Sequence, residues 1–215
     1  MLEKNPFRQY CKEKSFSCQK QRNGTFMNII AGIARGVELS VPETMQVRPT
    51  SGRARKALFD SLGDFSGLHI LDLFAGSGAL ALESASRGAA AITMLEISPV
   101  HIAVIKENLR RVTAAGVTVN SQIVDNDATL PEHYLAKLKH KPDIIFADPP
   151  YLQSSEFFQK LTGNEYFCKT LSGSLLIWEI PDTPGAAGVF LAAGGFAEKK
   201  LRRFGSTMFF CGRLQ

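Results

Sequence analysis

The sequence predicts an α/β fold, an open and mostly parallel sheet interleaved with helices and finished by an antiparallel pair. Three observations carry this prediction. Ile70 to Phe74 is a short apolar run holding one Asp, bounded by the turn Gly76-Ser77-Gly78 and followed by the helix-forming run Ala79 to Ala85. Further strand-like runs then alternate with helical spacings, the signature of strand-helix-strand units. Finally, Phe196 to Phe204 and Thr207 to Cys211 read as two strands joined at Gly205-Ser206.

Composition bounds the rest. A chain of 215 residues, 45% hydrophobic, fits one ordinary domain with a small appendage. The formal net charge is +5, which leans toward an anionic partner. Most of that excess, a net +4, lies in the polar leader before Met27, at Lys4, Arg8, Lys12, Lys14, Lys20 and Arg22 against Glu3 and Glu13. The leader (1–26) reads either as a flexible arm touching nucleic acid or as a disordered, dispensable tail; residues 27–215 read as one domain. It has no apolar segment of the secretory kind, and no run is long enough to span a membrane, so the expectation is cytoplasmic. Cys11, Cys18, Cys168 and Cys211 form no C-x-x-C pair, and neither a disulfide framework nor a metal site is expected.

In chain order, Ile29-Ile30-Ala31 and the alternating Val37 to Val41, with glycines between, predict a β-hairpin. Arg35 near its tip is either a solvated turn residue or a phosphate contact. Next, Arg53 to Leu62 has an apolar face at helical spacing, with Thr50 or Ser51 as N-cap. Arg53, Arg55 and Lys56 crowd its first turn, where the helix dipole disfavours cations. That mismatch hints at phosphate binding there, together with Arg48; a solvated face is the commoner alternative.

The turn at Gly76-Ser77-Gly78 lies where open α/β sheets bind ligands, beyond the carboxyl end of a strand. It satisfies the dinucleotide pattern G-x-G-x-x-A. Asp72 at the strand end is awkward for a pyrophosphate and suits a ligand carrying an ammonium. Ala91 to Leu95 is the next strand, ended by Glu96, whose two oxygens can accept from both hydroxyls of a ribose. Pro99 opens a helix running to about Arg111. Val117 to Val124 reads as a third strand. Asp127 after it is either an acceptor for an adenine amino group or the cap of a helix over Thr129 to His140. Asp143 to Ala147 is the fourth strand and delivers Asp148-Pro149-Pro150-Tyr151, a stiff extended exit. Phe157 to Leu161 suggests a helix, Ser174 to Ile180 a fifth strand and Pro181 to Gly188 a loop.

Taken together, D-x-F-x-G-x-G, an acid after the second strand, D-A after the third and D-P-P-Y after the fourth resemble a class I S-adenosylmethionine-dependent methyltransferase acting on an exocyclic amine. Met27 to Gly32, Ala34-Arg35-Gly36, Arg48-Pro49-Thr50, Ala57-Leu58-Phe59, Leu71 to Leu80 and Asp148 to Tyr151 resemble more closely the bacterial RsmD family, which methylates N2 of a guanine in 16S ribosomal RNA. Gly52 and Lys56 stand where that family is expected to carry acidic residues. The resemblance implies a Rossmann-like sheet of seven strands with helices on both faces, the last two strands antiparallel, plus an N-terminal hairpin and helix. It implies S-adenosylmethionine held by Asp72, Phe74, Ala75, Gly76, Ser77, Gly78, Glu96, Ile97, Asp127 and Ala128, with no metal. It also implies catalysis by Asp148, Pro149, Pro150 and Tyr151, and RNA contacts from Arg35, Arg48, Arg53, Arg55 and Lys56. The partner is 16S ribosomal RNA within a small-subunit particle, and the enzyme a monomer. An adenine-N6 or cytosine-N4 methyltransferase, an NAD-dependent oxidoreductase and a non-enzymatic RNA-binding module are the alternatives.

Overall fold

A computed structural model describes residues 26–42, 52–183 and 185–215. Nearly all of the leader, Arg48 and the two candidate N-caps, Thr50 and Ser51, lie outside the described residues. The elements in chain order are β1 (Phe26–Asn28), β2 (Glu38–Ser40), α1 (Gly52–Leu62), β3 (His69–Asp72), α2 (Ala79–Ser86), β4 (Ala91–Glu96), α3 (Pro99–Ala114) and β5 (Asn120–Asp125). They continue with β6 (Ile144–Ala147), α4 (Ser154–Thr162), α5 (Glu165–Thr170), β7 (Leu175–Ile180), α6 (Ala186–Ala192), β8 (Phe196–Phe204) and β9 (Thr207–Leu214).

Strands β3 to β9 form one sheet of seven in the order β5-β4-β3-β6-β7-β9-β8, and β1 pairs with β2 antiparallel beside it. β3 pairs in parallel with β4 and β6, β4 with β5, and β6 with β7. β9 runs antiparallel to β8, the expected terminal pair, and also antiparallel to β7. Because both faces are covered, the central strands are mostly apolar and successive residues feed different cores. Ile70, Ile144 and Ile177 face the core made by α1, α2 and α3. Their neighbours Leu71, Ile145 and Trp178 face the core made by α4, α5 and α6. The chain winds outward from β3 through β4 to β5, then returns to add β6 and β7 on the other side. The order therefore reverses between β3 and β6, the place where such sheets open a crevice.

Four local expectations are corrected. The hairpin forms, but its first strand is Phe26–Asn28 and not Ile29 to Ala31. The N–H groups of Ile30 and Ala31 donate instead to the Glu83 carboxylate, at 2.7 and 3.1 Å. The third strand is Asn120–Asp125; Val117 is buried as a core residue ahead of it. The helix expected over 129–140 is two single 3-10 turns, Pro131–His133 and Leu135–Lys137. Tyr134 lies between them, fully buried, its hydroxyl donating to the Ala128 carbonyl at 3.1 Å, with an extended φ of −131° that interrupts the helix. The loop expected to reach Gly188 gives way at Ala186 to α6, which buries Phe190. Helix α5 was not anticipated; Asn164 caps it by accepting from the Phe167 N–H at 2.9 Å.

Candidate active site at the carboxyl rim of the sheet

Four adjacent parallel strands each lead to a carboxylate at the same rim. Asp72 ends β3, Glu96 ends β4, Asp127 follows β5 and Asp148 follows β6. Asp72 is paired in register with Phe146, so the glycine turn and D-P-P-Y leave neighbouring strands at the switch point. The glycine turn is sewn to both sides. The Leu73 N–H donates to the Phe146 carbonyl and the Ala75 N–H to the Leu95 carbonyl, each at 3.0 Å.

The turn itself needs glycine. Gly78 has φ of +79°, a left-handed conformation, and a Cβ there would lie 3.2 Å from Met94 Sδ and 3.3 Å from Leu82 Cδ1. Glu96 shapes the turn from beneath. Its Oε2 accepts from the Gly76 N–H at 2.8 Å, and its Oε1 from the N–H groups of Ile97 and Ser98, both at 2.9 Å. His101 Nδ1 lies 3.5 Å from Oε2. A carboxylate offers about four lone-pair sites, so room for a ligand hydroxyl is narrower than two free oxygens would give. Ser98 caps α3, with Pro99 in its first turn as expected.

Asp72 is only 1% exposed, and its Oδ1 has no hydrogen-bond partner among the described residues. Burial pushes its pKa up to about 7; N–H groups of Phe74 and Ala81 oppose this, and the nearby Glu96 adds to it. A buried carboxylate oxygen left unpaired is costly, and a cationic donor would relieve it. Around the turn, Ala75 and Ser77 are buried and Phe74 is half-buried. The Phe74 ring stacks on Phe157 with centroids 5.9 Å apart and meets the Trp178 edge at the same distance. Ile97 is half-buried and Ala128 buried at the ends of the next two strands. Asp127 Oδ1 accepts from the Thr129 N–H at 2.8 Å and the Thr129 hydroxyl at 2.9 Å, so it caps a turn and not the helix expected of it.

The D-P-P-Y segment leaves β6 with Asp148 and Pro150 half-buried and Pro149 buried, and runs into a 3-10 turn at Tyr151–Gln153. The Tyr151 hydroxyl donates to Glu179 Oε1 on β7 at 3.1 Å. Burial, and then the Glu179 charge, hold its pKa far above the usual phenol range. Ser154 follows the turn, accepts from Trp178 Nε1 at 2.9 Å and donates to the Glu179 carbonyl at 3.4 Å. The segment is thus fastened to β7 by side chains that its own sequence does not announce.

The described basic residues differ in their surroundings. Arg55 is only 3% exposed; its guanidinium donates to the Asn28 carbonyl at 2.5 Å and to Met27 Sδ at 3.3 Å, and burial lowers its pKa. Its expected place on a phosphate-binding surface is corrected: the hairpin covers it. Arg53 is exposed, and Lys56 is exposed but paired with Asp60 on the next turn. Arg35 is exposed, in the turn that docks on the last residue of α2, the end away from the glycine turn. There Gly32 makes a close approach: a Cβ on it would lie 1.8 Å from the Ser86 carbonyl oxygen.

Sequence reasoning missed the residues that brace the glycine turn. Asn108 on α3 is fully buried. Its Oδ1 accepts from the Ser40 N–H, and its Nδ2 donates to the carbonyls of Ser40 and Ser77, each at 2.9 Å. Glu83 on α2 is also fully buried, holds the hairpin loop as described and accepts from Arg87 Nε at 2.8 Å. The available signal was a polar residue at a position on the apolar face of each helix. Among the described residues no group of three or more His, Cys, Asp or Glu is arranged to hold a metal ion, and no helix is long and apolar enough to cross a membrane.

The family model described as Conserved hypothetical protein 95 matches residues 27–209. The chain is 36% identical over 134 residues to the Ribosomal RNA small subunit methyltransferase D of Buchnera aphidicola subsp. Acyrthosiphon pisum, covering 61% of this chain and 66% of that one. It is 36% identical over 126 residues to the protein of the same name in Escherichia coli strain K12, covering 58% and 60%. The matches thus span under two thirds of these curated relatives. Among solved structures, the chain resembles a putative methyltransferase, yhhF, from Escherichia coli, with a TM-score of 0.62, 28% identity, and coverage of 89% of this chain and 99% of that one.

Proposed function

The chain belongs to the family described as Conserved hypothetical protein 95, which bears out the resemblance to the RsmD family, and on that premise we propose that it transfers a methyl group from S-adenosylmethionine to N2 of a guanine in 16S ribosomal RNA. The observation that carries the reading is the meeting of two turns on adjacent strands. Asp72 is paired with Phe146, and Asp148 follows two residues later, which supports a carboxylate suited to an ammonium and one suited to an amine at the ends of neighbouring strands. An oxidoreductase leaves both the unpaired Asp72 oxygen and the D-P-P-Y segment without a role.

The residues present fit the cofactor. Asp72 supplies an unpaired buried oxygen for its ammonium, Glu96 an acceptor for a ribose hydroxyl, and the glycine turn lets backbone come close. When bound, S-adenosylmethionine supplies an electrophilic methyl on a sulfonium. The protein's task is then the nucleophile, since the guanine amino lone pair is delocalised into the ring. With the cofactor bound, the Asp148 carboxylate and the Pro149 carbonyl would each accept a hydrogen bond from the guanine amino group, which would draw its lone pair out of conjugation. The proton lost by the alkylated nitrogen would pass to the Asp148 carboxylate. Holding that nitrogen in line contributes mainly through orientation and electrostatics. The Tyr151 ring stacks on the target base, worth roughly 1–3 kcal/mol, and the bond to Glu179 fixes its position. A base inside a helix must first be extruded. The substrate is the RNA within a small-subunit particle, and the protein acts as a monomer.

The test is transfer of a tritiated methyl group to small-subunit ribosomal RNA and to small-subunit particles, followed by nucleoside analysis. Label in N2-methylguanosine is expected. Label in N6-methyladenosine or N4-methylcytidine, or no transfer to either substrate, would contradict the reading.

A further inference from the structure

Of the RNA-facing residues expected near the hairpin, Arg55 is buried and Lys56 is paired with Asp60, while the described surface carries a basic groove elsewhere. Helix α1 runs down one face of the sheet from the rim. Near its start, Arg55 binds Asn28 and Met27, and Met27 Sδ lies 3.7 Å from the Ser77 hydroxyl in the glycine turn. At its end, Ser61 and Leu62 meet Leu175, the first residue of β7. Between this helix and the strand pair β8-β9 lies a groove of about 160 Å³.

Among the described residues its charged lining is Lys200, Arg202 and Arg213 against the acid Glu198, a net +2. Each arginine is anchored by one N–H. Arg202 Nη1 donates to the Ser61 carbonyl at 3.3 Å and Arg213 Nη1 to the Gly173 carbonyl at 2.7 Å. A guanidinium has five N–H donors, so both keep most of theirs for another acceptor, in a fork that suits phosphate oxygens. Lys200 stands exposed between them on β8. The carboxyl end of α1 attracts a cation, which accounts for Arg202 at Ser61. It does not account for Lys200 and Arg213. Lys199, by contrast, is spent on the carbonyls of Leu191 and Ala193 at the end of α6.

The register ties the groove to the catalytic rim. Arg202 pairs with Phe209, and Phe209 with Glu179. Residues in one cross-strand row share a face, and two strand spacings amount to about 10 Å. Glu179 is the residue that holds the Tyr151 hydroxyl. The upper end of the groove therefore lies beside the proposed base platform, within reach of nucleotides flanking a base placed there.

We infer that the groove between α1 and β8 binds the phosphodiester backbone of the substrate RNA next to the methylated nucleotide, with Lys200, Arg202 and Arg213 as its phosphate contacts. This rests on the RNA methyltransferase reading above.

The test compares the full chain with its Lys200→Gln and Glu198→Gln variants, measuring RNA affinity against salt and cofactor affinity by calorimetry. Lys200→Gln is expected to weaken RNA binding severalfold and to flatten the slope of log affinity against log salt by roughly 0.7–0.9, the loss of one phosphate contact. Glu198→Gln is expected to tighten RNA binding, an effect of opposite sign that misfolding would not produce. Cofactor affinity and melting temperature are expected to stay as in the parent. Unchanged RNA affinity and salt slope in both variants would overturn the inference. So would saturation of the groove by inorganic phosphate that leaves RNA binding undisturbed, which would mark a site for free anions. If the parent chain itself transfers no methyl to RNA, the functional reading fails, and that control is separate from the comparison of variants.

Discussion

The two turns at the rim are supported in different ways. The glycine turn after β3 is built into the interior. Its backbone rests on the Glu96 carboxylate and the Asn108 amide, and through Asn108 it is joined to the N-terminal hairpin, which Glu83 holds in turn. The D-P-P-Y turn after β6 is half exposed and fastened from behind by the side chains of Glu179, Ser154 and Trp178. The first turn is thus part of the folding core, while the second is a working surface with a fixed back. Stability and turnover should therefore respond to different substitutions, although the two turns lie on neighbouring strands.

The largest expected effect on the first region comes from Glu83→Ala. It strips the hairpin N–H groups and Arg87 of their buried acceptor. Removing one partner of a buried pair costs about 3–5 kcal/mol. A large fall in melting temperature is expected by calorimetry, with any residual folded protein still binding cofactor. A shift of less than about 1 kcal/mol, the worth of a surface pair, would mean that the hairpin is not braced as described.

A smaller effect follows from Asp72. Folding raises its pKa from the ordinary carboxylic range to about 7. Between those values the folded chain holds a proton that the unfolded chain has released. The stability of the ligand-free protein should therefore fall as pH rises through this window and level off above about 7, by a few kcal/mol at most. A cationic ligand favours the ionised carboxylate, so cofactor affinity should rise over the same window. Asp72→Asn should flatten both profiles. Melting curves and calorimetry from pH 5 to 8 test this, and a stability that climbs with pH through the window would contradict it.

The smallest effect is expected in the second region. Tyr151→Phe keeps the ring and loses one hydrogen bond, which contributes about 0.5–1.5 kcal/mol. Saturated turnover should fall only severalfold, and the melting temperature should hardly move. A large loss of stability would make this turn, like the glycine turn, part of the core.

How much of this was legible depended on whether the cause was local. The glycine turn, the strand ends at Asp72 and Glu96, D-P-P-Y and the terminal strand pair are each specified by a few adjacent residues, and each stands where the pattern puts it. Val117 to Val119 alternates like a strand but lies ahead of the ladder. The 129–140 stretch counts as helical until Tyr134 goes into the core. Arg55 sits between two exposed basic residues, and only the hairpin, nearly thirty positions earlier, decides that it is buried. Glu83, Asn108 and Glu179 were missed for the same reason. Their partners are 53, 68 and 28 positions away, beyond any helical or strand period.

The most direct test of the central claim is Asp148→Asn, measured as methyl transfer at saturating RNA and cofactor, with cofactor affinity measured alongside. The substitution keeps size and one acceptor oxygen but removes the charge and adds competing donors. Transfer is expected to fall by at least about tenfold, roughly 1.4 kcal/mol, with a smaller change in cofactor affinity and an unchanged melting temperature. Turnover equal to the parent's would contradict the claim that Asp148 accepts a hydrogen bond from the amino group of the target base.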